Sequence, residues 1–327
     1  MDNLTHTLTG LMLSRAGLNR FTPHASLLLM LAANMPDIDV LSGLAGPVAY
    51  LDHHRGHTHA IAFTPLLALL PPLIVGGLFR RKIPWVRAWA ISLAGVASHW
   101  LMDWTNVYGV RLWKPFSSTW LRLDLTFIID LWMLAALFLA LAAPFLSRLV
   151  NSEIGSRGSP PGRGWAWFAL LFILLWNVGR FVAHERAIQV LNSRLYAGET
   201  PQRVTAIPTA ITPTLWRGVV ETRSGVHLLN VNLLLDFDPE AGRVYESATG
   251  PAVEAASRDP LFAGFLRFNR TPLWRAVSAP DPPGATQVEL LDLRFGTPDE
   301  PGFIATALVL RDGSVEQARF SFRGRPR

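Results

Sequence analysis

Between Leu51 and His59 the chain reads Leu-Asp-His-His-Arg-Gly-His-Thr-His, and an uncharged apolar stretch from Ala60 to Phe79 follows at once. Imidazole is the commonest neutral ligand for a transition metal and is costly to leave unpartnered beside lipid. The cluster therefore points to metal chemistry at a bilayer surface. Gly56 permits a tight turn, and Thr58 is placed to cap the following span, with His59 in its first turn. Arg55 can clamp an anionic oxygen or bind lipid headgroups. Upstream, Pro36-Asp37-Ile38-Asp39 sets two carboxylates in an extended or turn-like stretch, so that they point differently. One can ligate a metal while the other orients a histidine or joins a second ion. On its own, such a motif is more often a solvated turn. Downstream, His99 and Asp103 stand four residues apart at the end of a predicted helix, on one face, where they can grip one ion or simply tie helices together. His6 falls in the first short helix. Asp124 and Asp130 bracket the start of a later span, and Asp130 is expected inside it.

These residues need elements to hold them. Leu4–Arg15 and Pro23–Met35 read as short apolar helices, with Pro36 ending the second. Spans are expected at Ala60–Phe79, kinked by Pro71-Pro72, and at Trp85–Leu101, Leu125–Leu146 and Trp165–Val182. Ser152–Gly164, rich in Ser, Gly, Pro and Arg, reads as a loop. After Thr200 the pattern changes. Val226–Phe237, Thr286–Phe295 and Ile304–Leu310 are β-rich, and Asp312-Gly313 is a hairpin signal between Ala305–Arg311 and Val315–Phe322. Asp259–Phe268 is the stretch with helical promise. The fold class expected is a mainly α polytopic membrane bundle, residues 1–190, joined to a soluble β-rich domain, residues 200–327.

Composition agrees with that division. Of 327 residues, 50% are hydrophobic and 17% charged, and there are twelve tryptophans, a residue favoured at bilayer interfaces. A net charge of +6 is too modest to indicate nucleic-acid binding. The lack of cysteine excludes disulfides and thiolate metal sites, leaving His, Asp and Glu as ligands. By the positive-inside rule, Arg15, Arg20, Arg80, Arg81, Lys82, Arg148, Arg157 and Arg163 face the cytoplasm. Every motif above, and the β-rich domain, then falls on the extracytoplasmic side, although Arg55, Arg111, Lys114 and Arg122 run against the rule.

The ordered series His6, Pro36-Asp37-Ile-Asp39, His54-Arg55-Gly56-x-Thr58-His59, Ser98-His99-x-x-x-Asp103 and Thr105-x-x-x-Gly109-Val-x-Leu-Trp113 resembles the YdjM-like membrane-bound metal-dependent hydrolases. The likeness covers roughly the first 135 residues, and its specificity lies in the order of five individually weak blocks. It implies His54 and His59 as the family's histidines, ahead of His53 and His57. Lys114 before Pro115 departs from the pattern. The same order also resembles the zinc-dependent phospholipase C and single-strand nuclease superfamily, although no second histidine set follows Asp103.

The resulting expectation is a multi-pass inner-membrane hydrolase using a divalent metal, zinc being the first choice. The expected ligands are His6, Asp37, Asp39, His54, His59, His99 and Asp103, with catalytic roles for Asp37, Asp39 and Arg55. The metal would lower the pKa of bound water, and a spare carboxylate would take its proton. Membrane lipid is the expected partner, and a phospholipid or other phosphoester the substrate. A metal transporter or sensor, and a membrane-anchored assembly protein, stand as alternatives. The sequence shows no partner for the β-rich domain.

Overall fold

The computed structural model describes residues 1–80, 82–153, 162–322 and 324. Arg81, Arg157 and the centre of the predicted Ser152–Gly164 loop lie outside them. The chain forms two compact units. One comprises Met1–Asp39, Arg55–His184 and Pro208–Pro213; the other comprises Val40–His54, Glu185–Ile207 and Thr214–Arg327.

In the first unit, helix α1 (Asn3–Ala16) begins where the Asp2 carboxylate accepts hydrogen bonds from the Thr5 amide and hydroxyl. It ends at Gly17, whose φ of 144° suits a residue without a side chain. Helix α2 (Ala25–Ala32) is followed by a 3-10 helix over Met35–Ala45, the turn-like and not the extended form of the stretch expected around Asp37. Pro36 lies near its start, where a missing amide hydrogen costs little, so the proline opens a helical element. Helix α3 (Pro47–His53) comes next in the chain and belongs to the second unit.

The expected span over 60–79 is found at Ile61–Leu78, with an interruption at 68–69 just ahead of Pro71-Pro72. It consists of a 3-10 turn, Ile61–Phe63, then α4 (Thr64–Leu67) and α5 (Leu70–Leu78), with prolines in the first turns of both helices. Helix α6 spans Trp85–Thr105, α7 Leu131–Glu153 and α8 Gly162–Asn192. Among the described residues, Ile61–Leu78, Leu131–Asn151 and Gly162–Asn192 are long and apolar enough to cross a membrane. Ala25–Ala32 and Met35–Ala45, meeting at 41°, form a further candidate as a broken span or re-entrant loop. The spans expose much of their apolar surface, including Leu139 and Phe145 on α7 and Leu171 and Leu174 on α8. Water would not tolerate this, and lipid does.

Helix α6, expected as a span, is not in that group. Its buried positions Ala88, Ile91, Ser92, Gly95, Val96, His99, Met102 and Asp103 follow a helical stripe. That stripe packs against α2. Glycines set the approach: a Cβ at Gly95 would lie 2.6 Å from Ala32 Cβ, and one at Gly10 of α1 would lie 2.5 Å from the Leu29 carbonyl oxygen. Asp130, expected inside a span, instead precedes α7. Its Oδ1 accepts the Trp132 and Met133 amides and its Oδ2 the Trp176 indole N–H, so it caps the helix.

The second unit contains two four-stranded antiparallel sheets, each in sequence order. The first holds β1 (Arg203–Pro208), β2 (Leu215–Glu221), β3 (Val226–Asn232) and β4 (Arg243–Tyr245). Helices α9 (Pro251–Arg258) and α10 (Pro260–Phe268) follow, then β5 (Pro272–Ser278), β6 (Thr286–Asp292), β7 (Phe303–Val309) and β8 (Val315–Ser321). The β7–β8 turn is at Asp312-Gly313 as expected, with Gly313 at φ 84°. Helix α10 fills the stretch expected to be helical and starts at an Asp259 cap, whereas α9 was not expected. Arg294 is buried in an ion pair with Asp292 and lies over the rings of Phe268 and Phe295.

Candidate metal centre

Four side chains from three stretches of sequence converge. Asp37 comes from the 3-10 helix after α2, His59 from the turn before the Ile61–Leu78 span, and His99 and Asp103 from one face of α6. One donor atom of each lies within 4.8 Å of all the others. His59 Nε2 and His99 Nε2 are 3.0 Å apart. His59 Nε2 is 3.5 Å from Asp37 Oδ1 and 3.3 Å from Asp103 Oδ2. His99 Nε2 is 3.5 and 3.4 Å from the same two oxygens. Donors bound at about 2.0–2.1 Å around one tetrahedral ion stand about 3.3 Å apart. Five edges of the cluster thus match a tetrahedral two-histidine, two-carboxylate site.

The surroundings also fit a bound cation. Both imidazoles turn Nε2 inward and engage Nδ1 outward, the arrangement that orients metal-binding histidines. His99 Nδ1 lies 2.7 Å from the Ala33 carbonyl oxygen. His59 Nδ1 lies 3.2 Å from Asp39 Oδ2, which also accepts the Thr58 hydroxyl at 2.6 Å and the Arg55 amide at 2.8 Å. Asp39 therefore stands behind His59, and Thr58 holds Asp39; it does not cap the following helix. Burial disfavours a charged His59, but its contacts with Asp103, Asp37 and Asp39 outweigh that and push its pKa up to about 10. A pocket with that excess of carboxylate is suited to a positive ion.

His6 lies beside the four. Its ring stacks on His99 with centroids 3.8 Å apart, and its Nε2 is 3.4 Å from Asp103 Oδ1. Both ring nitrogens are buried without a hydrogen bond, as is Asp103 Oδ2. Orphaned donors of this kind are rare in a settled core. Burial, reinforced by the neighbouring His99, pushes the His6 pKa down to about 3, so the ring is neutral. The amine of Met1 also contacts Asp103.

Arg55 is buried and committed. Its Nε is 3.2 Å from Asp103 Oδ2, its Nη1 donates to Asn106 Oδ1 and the Gly109 carbonyl, and its guanidinium lies 4.4 Å from the Tyr108 ring centroid. It backs Asp103. Asn106, missed in the sequence, is a hub: Oδ1 also accepts the Tyr108 and Gly109 amides, and Nδ2 donates to Asp103. The Thr105-to-Trp113 block was the available signal for it. His54 is not among the four. It follows α3 and stacks on Tyr50, with ring centroids 4.5 Å apart. Arg55, at φ 53°, and Gly56 reverse the chain between it and His59. His57 packs edge-on against Phe63, and Asp124 pairs with Arg122.

The family of YdjM inner membrane proteins matches residues 1–187. The chain is also 25% identical over 335 residues to "Uncharacterized protein YfhP" of Bacillus subtilis (strain 168), a match covering 97% of this chain and 94% of that protein. No solved structure matches the chain. The chain belongs to the YdjM family of inner-membrane proteins, and it is a multi-pass protein of the bacterial inner membrane.

Proposed function

We propose that this protein is a membrane-bound metal-dependent hydrolase acting on a phosphoester carried by a lipid, with its site on the extracytoplasmic side. The observation that carries the reading is the near-tetrahedral spacing of Asp37, His59, His99 and Asp103. Two imidazoles and two carboxylates suit zinc among the divalent ions. Such an ion, when bound, lowers the pKa of a water and polarises the scissile group. The residues do the rest. Asp39 fixes the His59 ring and the Ala33 carbonyl fixes His99, so both present Nε2 without reorganisation. Arg55 and Asn106 hold the Asp103 carboxylate. Asp37 has the most exposed side chain of the four, at 14%, so substrate would enter on its side, and it is the ligand that could yield its place to a water and take that water's proton.

A lipid substrate is favoured by the element that carries Asp37. Ile38, next to Asp37, is an exposed apolar side chain, and Ala25–Ala32 with Met35–Ala45 qualifies as a broken span or re-entrant loop, so this carboxylate belongs to a segment suited to lipid.

The test is cleavage by the purified full-length protein in mixed micelles, against lipid phosphomonoesters, phosphodiesters and their water-soluble counterparts. The expected outcome is turnover of a lipid phosphoester that chelation abolishes, zinc restores and Asp37→Asn removes. A protein that holds its metal and cleaves none of them would be a metal-binding transporter or sensor instead.

A further inference from the structure

A second polar concavity, of about 450 Å³, lies between the C-terminal end of α1, the Leu18–Arg20 turn, α7 and the start of α8. Arg15, Arg20, Arg148 and Arg163 all line it, and none of its described lining residues is acidic. On α1, Arg15 follows His6 by nine residues, which is about 14 Å of helix. The concavity is therefore distinct from the metal centre.

Its construction is specific. The C-terminal turn of α1 leaves carbonyls that attract cations, and the Ala16 carbonyl accepts both Arg163 Nε at 3.0 Å and Trp167 Nε1 at 3.1 Å. A Cβ on Gly17 would lie 3.4 Å from Arg163 Nη2, so the guanidinium rests against a backbone without a side chain. This anchors one arginine at the wall. Arg148 brings a second charge from α7, and Arg15 and Arg20 bring two more from the α1 end. Leu141, Pro144 and Phe145 supply an apolar floor on the same helix that Arg148 occupies. Guanidinium groups match phosphate oxygens in planar, paired hydrogen bonds. Basic pockets between membrane helices are suited to anionic lipid headgroups.

We propose that this concavity binds the phosphate of an anionic phospholipid, with the acyl chains lying along the apolar surface of α7. The site is independent of the hydrolase reading. All four arginines belong to the charge that the positive-inside rule assigns to the cytoplasm, so it would take lipid from the inner leaflet.

Binding is read on the full-length protein in nanodiscs, by titrating fluorescent phosphatidylglycerol and phosphatidylcholine, with inorganic phosphate as competitor. The expected result is selective phosphatidylglycerol binding that millimolar phosphate does not displace. Arg148→Gln should weaken it about fivefold, and Arg20→Gln with Arg148→Gln about 25-fold, at one charge contact each. Unfolding temperatures in phosphatidylcholine alone check that the variants fold. Equal binding of the two lipids, or unaltered phosphatidylglycerol binding in the folded double variant, would overturn the proposal. Complete displacement by phosphate would also overturn it, by assigning the site to a free phosphate.

Discussion

Replacing Asp39 by asparagine separates two roles that its position between Asp37 and the histidine run leaves open. A ligand would lose its bond to the ion outright. A residue that orients His59 would lose only the charge that holds the imidazole. Asp39 Oδ2 takes three donors, the Thr58 hydroxyl, the Arg55 amide and His59 Nδ1. An amide oxygen at the same place can still accept from them, so the turn should persist. What disappears is the carboxylate that raises the basicity of His59 and fixes its ring. Outer-sphere changes of this kind weaken metal affinity about 10- to 100-fold, equivalent to about 1.4–2.7 kcal/mol. The assay is competition for zinc between the detergent-purified full-length protein and a chromophoric chelator. The predicted Asp39→Asn affinity lies in that window, and Thr58→Ala should show a smaller loss in the same direction. Affinity within threefold of wild type would remove Asp39 from the site. A loss as complete as that of His99→Ala would make it a ligand.

Three further outcomes follow from the packing and the charges. Gly10→Ala should cost about 1–3 kcal/mol, because its new methyl meets the Leu29 backbone, and should weaken zinc binding by shifting α2 and the Ala33 carbonyl; chemical unfolding and the chelator assay read both. Arg294→Ala should destabilise the β-rich unit by about 3–5 kcal/mol, since it leaves Asp292 charged and buried; the loss of its unfolding transition at lower denaturant checks this without involving the metal. Burial lowers the His227 pKa from its usual 6.5. The unfolded chain then binds the proton more readily, so stability is full above pH 6.5 and falls as the pH drops below it, by at most about 1.4 kcal/mol per pH unit. Thermal unfolding from pH 7.5 to 5 should show this slope, and His227→Gln should flatten it.

How far the residues themselves foretold this arrangement depends on what each signal reports. The spacing of His99 and Asp103 predicts a shared helix face because helical periodicity is local, and α6 obeys it. The Asp312-Gly313 hairpin and the helix near Asp259–Phe268 are legible for the same reason. The four histidines of the run look equivalent in sequence. Their fates diverge because the backbone reverses at Arg55 and Gly56, sending His59 to Asp37, His99 and Asp103 while His54 stacks on Tyr50. Arg55 reads as a clamp for an anionic oxygen or a headgroup, because its partners Asp103, Asn106 and Gly109 stand 48, 51 and 54 residues further along the chain, beyond any local pattern. The prolines at 71 and 72 signal a perturbed span, and the interruption falls just ahead of them, at 68–69.

The central claim is that Asp37, His59, His99 and Asp103 together hold one divalent ion. The most direct test is elemental analysis of the full-length protein after zinc loading and removal of weakly held ions, in wild type, His99→Ala and Asp103→Ala. The account predicts one zinc per chain in wild type and less than about a tenth of that in either folded variant, as expected when one of four ligands is removed. Full zinc occupancy in both variants would contradict it.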